Sequence, residues 1–190
     1  MIEQKKYKVY TLKNFSQIPQ LKSVLTQEQI NAIEVVGNVL PFKVNNYVVE
    51  ELIDWNNIPN DPIYQLTFPQ KNMLSKSHFE EMQNAIKNNY SKPEIKLIAN
   101  KIRYELNPHP AGQKNNVPIL NDQKLTGMQH KYRETVLFFP SNSQTCHAYC
   151  TFCFRWPQFV GIDELKFAMK ETDLLVCLLY TSPSPRDTLL

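Results

Sequence analysis

The chain has 190 residues, of which 42% are hydrophobic and 21% charged, and 21 Lys and Arg against 18 Asp and Glu give a net charge of +3. That length allows one domain, or a domain with an appended helical lobe, and the apolar share is too high for disorder throughout. The charge is too mild to argue by itself for a nucleic-acid or membrane surface. The opening MIEQKKYKVY lacks the apolar segment of a signal peptide, and no run approaches the roughly 18 apolar residues of a membrane span. The expected location is therefore cytoplasmic, where clustered cysteines stay reduced and a metal or redox role outranks a disulfide framework.

Between Phe15 and Leu40 the positions Leu21, Val24, Leu25, Ile30, Ile33, Val36 and Val39 recur mostly at three- and four-residue steps, which predicts amphipathic helices. Thr26 followed by Gln29 predicts a capping box opening the second of them. Residues 41–70 mix apolar side chains with Pro59, Pro62 and Pro69 and predict short helices and extended elbows that wrap a core without forming one. Within this stretch Asp54 and Asp61 are expected to be helix caps and not catalytic acids. Helical patterning returns around Ser77–Asn89, and Asn107–Gln123 then becomes polar and turn-rich.

TVLFF, Thr135–Phe139, predicts a strand buried on both faces and ended by Pro140. A loop containing Cys146, Cys150 and Cys153 follows, and Ile162–Val176 predicts a helix capped by Asp163. Strand, loop and helix in this order predict a unit of parallel α/β architecture, with the loop at the carboxyl end of its strand. The last stretch, CLLYTSPSPRD from Cys177 to Asp187, interrupts that helical pattern and resembles the translation of a sequencing-library adapter. On this reading residues 177–190 are an artefactual tail, and the natural chain continues differently after about Val176. A disordered tail is the plainer alternative.

The three clustered cysteines are the strongest chemical signal. Thiolates are soft ligands suited to zinc or to iron and sulfide. Structural zinc wants four protein ligands, commonly in two pairs, and here a fourth would have to come from His147, His130 or His109. In a four-iron four-sulfur cluster, three thiolates leave one iron free to bind a small molecule.

The spacing Cys-x-x-x-Cys-x-x-Cys, with aromatic Phe152 before the last cysteine, resembles the signature of the radical S-adenosylmethionine superfamily. HKYRETVLFFPSNSQTCHAYCTFCFRWPQFVG, with LPFKVNNYVVEELIDWNNIPNDPIYQLTFP upstream, is similar to the lysine 2,3-aminomutase family. The resemblance implies an α/β fold: the start of a partial (β/α) radical-SAM barrel over residues 135–176, a mainly helical N-terminal lobe over 1–106 and a connecting segment over 107–134. It implies Cys146, Cys150 and Cys153 as ligands of a 4Fe-4S cluster, Phe152 as a cofactor-binding residue and Arg155 as the residue holding the substrate carboxylate. A guanidinium fork suits a carboxylate because it makes two parallel charge-assisted hydrogen bonds. Phe152 itself replaces the family's usual histidine, and Trp156 and Pro157 depart from its usual basic residues.

The implied activity is 1,2-amino migration on an amino acid, started by a 5′-deoxyadenosyl radical made from S-adenosylmethionine, with pyridoxal phosphate in a longer parent. The pyridoxal-binding lysine and the glycine-rich S-adenosylmethionine contact would lie beyond this chain, so the fragment alone is expected to be inactive. Expected partners are the amino-acid substrate and an electron donor of flavodoxin or ferredoxin type, without nucleic acid or membrane and with homo-oligomerisation allowed. Two alternatives stand beside this reading: a divergent family member without pyridoxal phosphate, and a zinc-binding interaction module.

Overall fold

A computed structural model describes residues 6–107, 115–132, 135–141, 146, 148–150, 153, 162, 168, 170 and 172–181. The chain forms two compact units, Met1–Leu106 with Cys146–Arg155, and Asn107–Thr145 with Trp156–Leu190. Helices and short antiparallel strands are mixed, compatible with the α/β class, and the described strands form two-stranded sheets. None of the described helices is long and apolar enough to cross a membrane.

The first unit begins with strand β1 (Val9–Thr11), paired antiparallel with β2 (Lys43–Asn45) so that Tyr10 faces Val44. Buried Asn46 extends the pairing, accepting from the Lys8 N–H at 2.9 Å and donating to the Lys6 carbonyl at 3.3 Å. Helix α1 (Pro19–Val24) starts on a proline, whose missing N–H matters least in a first turn. Helix α2 (Gln27–Val39) carries the expected capping box: Thr26 Oγ1 accepts from the Gln29 N–H, and Gln29 Oε1 accepts from the Thr26 N–H. At Gly37 a Cβ would lie 2.7 Å from Leu12 Cδ2, so glycine permits the close approach of that side chain.

Residues 41–70 contain β2, a π-helical turn at Val48–Leu52, a short turn at Trp55–Asn57 and helix α3 (Pro62–Thr67). The elbows are as predicted, but their relation to the core is not. Phe42, Val44, Val49, Ile53, Tyr64 and Phe68 join Ile18, Leu21 and Ile33 in the first hydrophobic cluster, so this stretch builds a core instead of wrapping one. Its aromatic rings carry much of the packing: Tyr64 stacks on Phe68 at 4.9 Å, and Trp55 meets Phe68 edge-on at 5.9 Å. The capping reading of both aspartates holds. Asp54 accepts from the Asn56 N–H, and buried Asp61 accepts from the N–H groups of Tyr64 and Asp54.

Helices α4 (Lys76–Lys87) and α5 (Lys92–Leu106) pack on the other side of α2. There Val35, Val36, Val39, Phe79, Met82 and Ile102 form the second cluster. Ser75 caps α4 by accepting from the His78 N–H, and Asn89, at φ 54°, ends it. The bonds from the Tyr90 N–H to the Ala85 carbonyl and from the Asn89 N–H to the Ile86 carbonyl complete a Schellman stop.

In the second unit, strands β3 (Ile119–Leu120) and β4 (Gln123–Lys124) form a hairpin across Asn121 and Asp122. Both turn residues have positive φ, the conformation a two-residue type I′ loop requires. Strand β5 (Met128–Tyr132) pairs antiparallel with β6 (Thr135–Phe138). The doubly buried strand expected at 135–139 is thus an antiparallel strand whose Thr135 and Leu137 are exposed. An immediately preceding partner strand favours a local hairpin, which needs only one covered face. Of the predicted helix 162–176, Ile162, Ala168 and Lys170 lie outside any helix and the cap Asp163 lies outside the described residues; the described helix there is α6 (Thr172–Thr181), which holds the apolar run LLVCLL. Leu178 of α6 is buried in one cluster with Leu125 and Met128.

Candidate functional site

Cys146, Cys150 and Cys153 are outside any disulfide, Cys150 exposed and the other two half-buried. At the described positions their segment is neither helix nor strand, and it belongs to the first unit, with the helical lobe. The Cys146 Sγ makes a weak contact with the Ala148 carbonyl at 3.8 Å. Cys177 is likewise outside any disulfide and exposed, but it sits in α6, in the other unit.

What holds the segment is Tyr149. Its backbone N–H donates to the Leu66 carbonyl at 2.7 Å. Its hydroxyl reaches the Leu40 and Pro41 carbonyls at 3.2 Å each, sharing one proton between two acceptors. Burial pushes this phenol well above the usual tyrosine range, so it remains a donor at neutral pH. All three carbonyls lie in or just beyond the last turns of α2 and α3, where helices leave carbonyls without intrahelical partners.

The same end of α2 is held from another side. Buried Arg103 of α5 donates from Nε to the Val39 carbonyl at 2.6 Å, from one terminal nitrogen to the Asn38 carbonyl at 3.1 Å, and from the other to Asn100 Oδ1. A cation here also complements the negative end of the helix dipole. Burial pulls the guanidinium down to about 10, so it is still charged at neutral pH. Four consecutive carbonyls, 38 to 41, are therefore bound by Arg103 and Tyr149.

In number and kind the donors suit an iron–sulfur cluster: three soft thiols outside any disulfide, each at a described position that is neither helix nor strand. Their positions do not form a ligand set, because among the described residues no three His, Cys, Asp or Glu side chains gather to hold a metal ion. Phe152 and Arg155 lie outside the described residues, as do His109, His147, Trp156 and Pro157. His130 is in β5, in the second unit. Tyr149 was missed in the sequence because its acceptors are more than 80 positions away for Leu66 and 108 and 109 for Pro41 and Leu40. Its one local signal is an aromatic side chain with a polar tip between two candidate ligands.

Compared with family models, with curated proteins and with solved structures, the chain gives no match.

Proposed function

We propose that this chain carries the cluster-binding segment of a radical S-adenosylmethionine enzyme resembling lysine 2,3-aminomutase. The observation that carries the reading is the Cys146-x-x-x-Cys150-x-x-Cys153 spacing, borne by three cysteines outside any disulfide, each at a described position that is neither helix nor strand. Cys146, Cys150 and Cys153 would hold a 4Fe-4S cluster, which supplies the electron that converts S-adenosylmethionine to a 5′-deoxyadenosyl radical. Phe152 is assigned to the cofactor's surroundings and Arg155 to the substrate carboxylate, where a planar guanidinium makes two parallel bonds.

The partial (β/α) barrel is part of this proposal and not of the observed fold, whose described strands are antiparallel pairs. So are the 1,2-amino migration on an amino acid, pyridoxal phosphate in a longer parent, a flavodoxin- or ferredoxin-type electron donor and a cytoplasmic setting. The test is anaerobic reconstitution of the chain with ferrous iron and sulfide, followed by analysis of bound metal. About four irons and four sulfides per chain are expected, and Cys146→Ala, Cys150→Ala and Cys153→Ala should each reduce uptake while Cys177→Ala should not. Bound zinc without sulfide would overturn the reading in favour of a zinc module.

A further inference from the structure

We infer that Tyr149 is a positioning residue that registers the three-thiol segment on the helical lobe, through carbonyls at the ends of α2 and α3. As a statement about cluster assembly this rests on the function proposed above.

Two attachments at opposite ends of one residue do different work. The N–H to Leu66 bond fixes the main chain, and the hydroxyl bonds to Leu40 and Pro41 fix the direction in which the residue points. Consecutive Cα atoms are about 3.8 Å apart, so fixing Tyr149 fixes Cys150 to within one residue. Cys146 stands three positions before the anchor and Cys153 four after it, which gives a short tether to each.

The anchoring surface is itself rigid. Arg103 binds the two carbonyls preceding those that Tyr149 takes, and the Leu40 N–H closes the last turn of α2 on the Val36 carbonyl. Leu66 belongs to α3, whose start is fixed by buried Asp61 and whose Tyr64 is in the aromatic core. The lobe thereby presents carbonyls that no helix satisfies, and the thiol segment supplies the donors. A hydroxyl is the required group, since phenylalanine keeps the ring but leaves both carbonyls without this partner.

The experiment uses the full chain, reduced and metal-free, as wild type and as Tyr149→Phe. Each is pulse-labelled with iodoacetamide and the label at every cysteine read by peptide mass spectrometry. Half-buried Cys146 and Cys153 should label faster in Tyr149→Phe by about three- to tenfold, the range expected for one net hydrogen bond. Exposed Cys177, in the other unit, should label at the wild-type rate. Unchanged rates at Cys146 and Cys153 would overturn the assignment.

If Tyr149→Phe fails to fold, hydrogen exchange in the unaltered chain decides. The Tyr149 amide should be protected by its bond to Leu66, and exchange at the unstructured-chain rate would overturn the assignment. Reconstitution with ferrous iron and sulfide separates this inference from the proposed function. No uptake by wild type, with labelling that still responds to Tyr149→Phe, removes the cluster and leaves the positioning role. Uptake by wild type, with labelling that does not respond, removes the positioning role and leaves the cluster.

Discussion

Among the described residues, the helical lobe and the hairpin unit bury apolar surface on different scales. In the lobe, two clusters on either side of α2 include Tyr64, Phe68, Ile33, Met82 and Ile102, all almost wholly enclosed. In the second unit, Leu125, Met128 and Leu178 form the described cluster and Phe139 and Ile162 are also buried, while Ile119, Tyr132 and Leu137 of its strands are exposed. Stability from burial scales with the area withdrawn from water, so the lobe is the firmer platform. The thiol segment is anchored on that platform, through Tyr149. A segment that must present three side chains in one register gains most from attachment to a surface that does not itself shift.

The largest expected effect tests whether the lobe owes its firmness to the aromatic part of its core. Phe68 is fully enclosed and touches Phe42, Trp55 and Tyr64. Phe68→Ala should lower stability by about 3–5 kcal/mol, the sum of lost transfer energy and a cavity that rigid rings cannot close. Urea unfolding followed by circular dichroism measures it, and a loss below about 1 kcal/mol would show that the lobe repacks readily.

A smaller loss is expected from the lobe's buried polar anchor. Arg103→Met removes the donors to the Asn38 and Val39 carbonyls but also relieves the burial of a charge, so the two effects partly offset. A net loss of about 2 kcal/mol in the same urea experiment is expected. Arg103→Lys should not restore stability, because one ammonium lacks the planar fork that serves two carbonyls and Asn100 together. Full restoration by lysine would reduce the role of Arg103 to charge alone.

These anchors divide what the sequence made legible from what it did not. The capping box at Thr26 and Gln29 and the caps at Asp54 and Asp61 were readable because donor and acceptor lie within three residues. The core contribution of residues 41–70 was hidden because Phe42, Val49, Tyr64 and Phe68 lie in short, separate elements, none long enough to show a period; only tertiary packing brings them together. Strand β6 was misread because a short apolar run does not reveal its partner, and an antiparallel neighbour leaves one face open. At the candidate site, the kind, number and spacing of the thiols were legible. The residue that anchors them was not, since its hydroxyl bonds join residues 109 and 108 positions apart in the sequence.

The smallest expected effect isolates a further local cap, at the start of α5. Ser91 precedes α5, and Glu94 Oε2 accepts from its hydroxyl at 2.6 Å and its N–H at 2.8 Å. The Ser91 hydroxyl first, and its N–H second, hold the Glu94 carboxyl below its ordinary value of 4.5. A carboxyl whose folded value is depressed contributes stability above the unfolded value, and that contribution is lost as pH falls through the folded value. Wild type should therefore exceed Glu94→Gln in urea midpoint at pH 6, and the gap should close as pH is lowered from near 4.5 through the folded value. Glutamine keeps an acceptor oxygen without the charge, so a gap that stays constant with pH would assign the cap to geometry alone. Because Glu94 is fully solvent-facing, the effect must be small beside those of Phe68 and Arg103, which would confirm that the lobe's firmness comes from enclosed groups and not from its surface caps.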